Sequence, residues 1–262
     1  MKTLAVRTDD GFPLAVQTSG PDDGPPLLLL QGQANSHAWW NRLRRGFEDR
    51  YQTITFDYRG TGGSRGPVGP WSTSLFAVDA AHVLAALGVR SAVVYGTSMG
   101  GRVAQMLAIE HPTLVSKLAL ACTSPGGRYA VERGPDVRHA LADPNPVGRR
   151  QVLHDLFYTP TWPHGPEQST LLGDPSMTSA ESAAHLRASA RHDAWTALPR
   201  IHVPTLVLHG SDDLMVPADN ASALAARIPA AVVHIHHGGR HGFFEQFADT
   251  ITPTVRTFLQ TH

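Results

Sequence analysis

Short apolar runs alternate with stretches of helical spacing along most of this chain. Leu27 to Leu30 is four leucines without a break, as expected for a strand covered on both faces. Gln52 to Phe56, Ala92 to Tyr95, Val115 to Ala121, Thr205 to His209 and Ala231 to Ile235 read as further strands. Ahead of them, Leu4 to Arg7 and Leu14 to Thr18 predict a hairpin joined at Asp10-Gly11, followed by a turn over Pro21-Asp22-Asp23-Gly24-Pro25. Between strands the apolar spacing becomes helical. Ala80, Val83, Leu84 and Leu87 share one face, and Gly88 stands where a helix closes. Val103, Met106 and Leu107 share another, and Pro112 stops it. Phe244, Phe247, Ala248 and Ile251 predict the last helix, restarting at Pro253. Strands that alternate with helices predict an α/β fold with a mostly parallel sheet.

The rhythm breaks after Ser124. Residues 125–198 hold few strand-like runs and many Pro, His and Arg residues. Val152, Leu153, Leu156 and Phe157 have helical spacing there, and Tyr158 and Trp162 add apolar surface, so the stretch reads as a folded helical cap rather than a long loop. The expected organisation is a core in two parts, residues 1–124 and 199–262, with a cap of residues 125–198 between them.

Composition narrows the partners. The 262 residues carry 22 Lys+Arg against 22 Asp+Glu, a balance that argues against nucleic acid or a membrane surface. No apolar run approaches the length of about 20 residues that a membrane span needs. Met1 to Asp10 lacks the apolar core of a secretory leader, and the one cysteine, Cys122, has no internal partner, so a cytoplasmic location is the simplest expectation. The expected partner is a small-molecule substrate, with a homo-oligomer left open. Among 15 histidines, His234, His236 and His237 cluster, but no matching carboxylate or cysteine set accompanies them. They read as strand-end residues, and neither metal nor cofactor is expected.

The chemistry concentrates after Val93-Val94-Tyr95. Gly96-Thr97-Ser98-Met99-Gly100 matches G-x-S-x-G between a strand and a helix, where a tight turn exposes the serine above the sheet. A serine hydroxyl needs a base to remove its proton, so the motif calls for an acid and then a histidine, each after a later strand. The loop after Thr205 to His209 offers Asp212 and Asp213, of which Asp213, three residues past Gly210, is favoured. His241, in Gly238-Gly239-Arg240-His241-Gly242, supplies the base. The Met99 N–H is one oxyanion donor, and Gln33, in the loop after Leu30, is the candidate for the second. Trp39, Trp40, Phe157, Trp162, Met215 and Phe243 are candidates for an apolar, substrate-binding pocket lining.

With these residues in view, the chain resembles the α/β-hydrolase superfamily over nearly its whole length. The resemblance is strongest over Phe56 to Gly62, Gly96 to Gly101, Gly210 to Pro217 and Gly239 to Phe244. Within it, Asp57, Gly69-Pro70-Trp71-Ser72 and Ser98-Met99-Gly100-Gly101 are most similar to the small capped esterases and lactonases that include 3-oxoadipate enol-lactonases. That resemblance implies a mostly parallel eight-stranded sheet flanked by helices, with a helical cap insertion, no cofactor, and a Ser98-His241-Asp213 mechanism with Gln33 and Met99 in the oxyanion hole. Many relatives carry His-Gly where this chain has Gln31-Gly32. Relatives that open epoxides or remove halides use an aspartate where this chain has Ser98. The expected reaction is hydrolysis of a carboxylic ester or lactone through an acyl-enzyme. The alternatives are carbon–carbon bond hydrolysis of a diketone-type substrate, or a non-catalytic ligand-binding protein on the same fold.

Overall fold

A computed structural model describes residues 1–143 and 145–260. β1 (Lys2–Arg7) and β2 (Pro13–Ser19) pair antiparallel as a hairpin, and β3 (Pro26–Leu30) and β4 (Gln52–Phe56) follow. Then come α1 (Thr73–Ala86), β5 (Ala92–Thr97), α2 (Met99–Glu110) and β6 (Val115–Ala121). Among the described residues, α3 (Pro135–Leu141), α4 (Pro146–Phe157) and α5 (Ser179–Ala190) succeed one another before the next strand. β7 (Thr205–Gly210), α6 (Asp219–Ala225), β8 (Ala231–His236), α7 (Phe243–Gln246) and α8 (Ala248–Gln260) complete the order.

The eight strands form one sheet in the order β1-β2-β4-β3-β5-β6-β7-β8, antiparallel at β1, β2 and β4 and parallel from β4 onward. The chain leaves β3 toward β4 on one side and leaves β5 toward β6 on the other. The connections therefore diverge between β3 and β5 and open a crevice at their carboxyl ends, the usual ligand position in such sheets.

The leucine run shows why β3 forms there. Leu28 and Leu30 face the core cluster built with α1 and α2, while Leu27 and Leu29 face the one built with α8. All four are fully buried, and each contributes about 1.5–3 kcal/mol of apolar transfer free energy. Helix α1 closes as its sequence predicts: Gly88 has φ 69°, and the Val89 N–H bonds to the Leu84 carbonyl at 2.9 Å. The C-terminal helix departs from expectation. It breaks at Phe247 and restarts at Ala248, so Pro253 lies inside α8 rather than at its start. The ring costs one intrahelical donor, and α8 tolerates this because Ile251, Val255 and Leu259 anchor it to the core. No helix among the described residues is long and apolar enough to cross a membrane.

Candidate active site

Ser98 sits between the last residue of β5 and the first of α2, with φ 55° and ψ −122°. This is a strained backbone for a residue with a Cβ, and the surroundings impose it. The Ser98 N–H donates to the Ala121 carbonyl at 2.9 Å, and the Thr123 hydroxyl donates to the Ser98 carbonyl at 2.8 Å. Gly100 lets the turn close: a Cβ there would lie 2.0 Å from the Leu30 carbonyl oxygen. The serine side chain is left half-buried at the crevice between β3 and β5.

His241 reaches it from the loop before α7. Its Nε2 lies 3.0 Å from Ser98 Oγ, and its Nδ1 donates to Asp213 Oδ2 at 2.7 Å. The loop is pinned from α4: the Leu156 carbonyl accepts the His241 N–H at 3.2 Å and the Phe157 carbonyl accepts the Gly242 N–H at 2.8 Å. The Phe157 ring meets the imidazole edge-on with centroids 4.8 Å apart.

Asp213 is buried, and its second oxygen accepts the N–H groups of Met215 and Val216 at 2.8 and 2.9 Å. Burial alone would push its carboxyl up. The charge of His241 and hydrogen bonds from His209 and His241 outweigh that and hold it down at about 2. Asp212 points to solvent and takes a hydrogen bond from the Ser211 hydroxyl.

The sequence reading did not single out His209. It is fully buried at the end of β7, its Nε2–H donates to the Val216 carbonyl at 2.8 Å, and the same nitrogen lies 3.3 Å from Asp213 Oδ2. Its signal was a histidine on the strand that delivers the acid, four positions before Asp213, lost among so many others.

A cavity of about 700 Å³ lies between the β6–β7 segment and the neighbouring Gln33, Arg102 and Met215. Gln33 and Met215 contribute to its wall from the core, and Leu153 and Leu186 from α4 and α5. Arg102, Arg133 and Arg138 line it against a single carboxylate, Glu132, and among the described residues none of these arginines forms an ion pair. Loss of surrounding water pulls Arg102 down to about 10 and lowers Arg133 as well.

The other five expected lining residues lie away from that wall. Trp39 stacks on Phe244 with centroids 5.7 Å apart, and Trp40 packs on Tyr95 at 5.2 Å. Trp39, Trp40 and Phe243 are fully buried in the core cluster that carries α8. Phe157 is buried in the same cluster, against His241, and Trp162 stacks on Tyr158 at 4.9 Å. Their rings do more for stability by filling the layer under α7 and α8 than they would at an open wall. Among the described residues no three His, Cys, Asp or Glu side chains gather as metal ligands, and His236 packs against the Phe247 ring at 4.3 Å.

Residues 25–165 match the family described as the alpha/beta hydrolase fold. The chain belongs to that family. A non-heme chloroperoxidase of Streptomyces lividans is 30% identical, with 98% of this chain and 99% of the relative covered. An esterase from Exiguobacterium antarcticum superposes with a TM-score of 0.88 at 23% identity, over 99% of this chain and all of the other. The enol-lactonase from Burkholderia xenovorans LB400 superposes with a TM-score of 0.83 at 22% identity, over 99% and 100%. At those identities the two superpositions establish the shared fold of this hydrolase family.

Proposed function

We propose that this protein is a serine hydrolase that cleaves carboxylic esters or lactones through an acyl-enzyme. The observation that carries the reading is the unbroken relay from Ser98 Oγ to His241 at 3.0 Å and on to Asp213 at 2.7 Å. His241 takes the hydroxyl proton as Ser98 attacks the carbonyl carbon, and the buried Asp213 charge holds the resulting imidazolium in place. The N–H groups of Gln33 and Met99 receive the developing oxyanion, with α2 opening at Met99 so that its N-terminal dipole favours negative charge. His241 then protonates the leaving alkoxide, which in a lactone stays tethered to the acyl group. A water deprotonated by the same imidazole releases the acid.

The β6–β7 segment serves as the cap, and the cavity beneath it takes the acyl or alcohol portion. Leu153, Leu186 and Met215 give it an apolar side, and three arginines against Glu132 favour a substrate with a negatively charged group.

A panel of neutral and acid-bearing esters and lactones tests the reading, with Ser98→Ala as control. Wild type should turn over at least one class and prefer the acid-bearing members. Ser98→Ala should lose on the order of 10⁴–10⁶ in kcat. A fluorophosphonate probe should label wild type and not the variant. Folded wild-type protein that is never labelled and hydrolyses nothing would favour a ligand-binding role instead.

A further inference from the structure

We infer that His185, on α5, is a positioning residue for the oxyanion-hole loop: its Nδ1 holds the Ala34 N–H and so fixes the direction of the adjoining Gln33 N–H. The inference rests on the hydrolase reading above for its catalytic consequence, though not for its geometry.

Ala34 has φ 56°, a left-handed backbone that an alanine does not adopt unaided. Both of its peptide groups are gripped by the β6–β7 segment. Its N–H donates to His185 Nδ1 at 3.2 Å, and its carbonyl accepts the Asp174 N–H at 2.8 Å. Asn35 Oδ1 accepts the Gly173 N–H at 3.0 Å, and the Asn35 amide donates to the Gln33 carbonyl at 2.8 Å. The oxyanion loop is thus shaped from outside the core.

The tautomer of His185 follows from its other nitrogen. Nε2 lies 2.8 Å from the Arg59 carbonyl, which can only accept, so Nε2 carries the proton and Nδ1 is a bare acceptor. The imidazole is fully buried, and the rings of Tyr58, Trp71 and Phe76 surround it with centroids 5.2–6.2 Å away, which fixes its plane. Burial also drives its protonation down to about 4, so the acceptor persists at neutral pH. The acids facing it are Glu181 on α5 and Asp174 on the preceding loop; Arg65 pairs with Glu181 and lies in the same charge cluster.

Helix α5 is held so that this bond can be precise. Glu181, His185 and Ser189 recur every four residues on its inward face. Glu181 binds Arg65 at 3.1 Å, and the Ser189 carbonyl accepts from Arg102 at 2.6 Å. These ties make α5 a fixed strut rather than a swinging lid.

Two substitutions separate the nitrogens. His185→Asn places a carbonyl oxygen near the Nδ1 position, whereas His185→Gln keeps a donor for Arg59 and loses the acceptor. With a small p-nitrophenyl ester, His185→Gln should lower kcat about tenfold or more with KM within about twofold, and His185→Asn should recover most of the loss. Ala34 amide hydrogen exchange, read by NMR, should accelerate in His185→Gln and stay slow in His185→Asn. Wild-type imidazole ¹⁵N shifts should report Nε2–H with a bare Nδ1, a measurement that needs no variant to fold. An Nδ1–H tautomer, or unchanged kcat and Ala34 exchange in His185→Gln, would overturn the inference. If wild type shows no ester turnover, the hydrolase reading fails, while exchange and tautomer still decide whether His185 holds the loop.

Discussion

At the residue scale the acid assignment is the sharpest expectation. Asp212 and Asp213 are neighbours, yet one points to solvent and the other accepts His241 Nδ1–H and two backbone N–H groups. Asp213→Asn keeps the volume but removes the charge that stabilises the imidazolium, and an amide can hold the ring in the wrong tautomer. It should lower kcat by about 10³–10⁴, while Asp212→Asn should leave kcat within about twofold. Steady-state kinetics on any ester the wild type accepts distinguishes the two, and equal losses would show that the acid has been misassigned. Sequence spacing favoured Asp213 because a turn needs room after Gly210, and the structure supplies that room through the Asp213 N–H to Gly210 carbonyl bond at 3.3 Å. His185 and His209 were not legible in the same way. A buried histidine and a surface one have the same letter, and only the backbone carbonyls they meet set them apart.

At the element scale the strands of the parallel sheet were legible because burial on both faces leaves unbroken apolar runs, as in Leu27 to Leu30. Helix α5 was not, because its inward face carries Glu181, His185 and Ser189, and an apolar period cannot reveal a helix that docks through polar groups. Trp39 and Trp40 lie outside the cavity wall for a related reason: their place in the chain beside the loop after β3 brings them near the site, but does not say which layer receives their rings. Helix α1 docks by charge as well as by packing. Arg59, three residues past the end of β4, donates to both oxygens of Asp79 at 2.7 and 2.8 Å, and both residues are buried. Removing one partner of a buried pair strands the other. Asp79→Ala should therefore cost about 3–5 kcal/mol, read as a lower urea midpoint at unchanged m-value. A cost below about 1 kcal/mol would mean that Asp10, the other acid on Arg59, suffices alone.

At the scale of the whole molecule, the seam where the β6–β7 segment meets α1 and the loop after β3 makes stability sensitive to mild acid. His185 is held down to about 4, and His192 to about 3, in both cases chiefly by burial, with the Arg102 charge adding to the effect on His192. His192 also lies in the seam, with Nδ1 2.9 Å from the Thr73 hydroxyl of α1. In the unfolded chain each would titrate near the ordinary value of about 6.5. Below that pH the unfolded state binds protons that the folded state refuses, so stability falls with falling pH, by up to about 1.4 kcal/mol per unit for each histidine. The contribution is complete above pH 6.5; that of His185 is lost down to about pH 4, where the protonated ring can no longer accept the Ala34 N–H, and that of His192 down to about pH 3. Asp213, held at about 2, begins to lose its own contribution as the pH falls through the ordinary carboxylate value of about 4. Urea unfolding at pH 7.5, 6 and 5 should show the decline, and His185→Gln should remove about half of its slope. A stability flat from pH 7.5 to 5 would mean that the seam opens to water and that these histidines titrate as they do in the unfolded chain. The bond from the Ala34 N–H to His185 Nδ1 would then not be closed as its geometry requires.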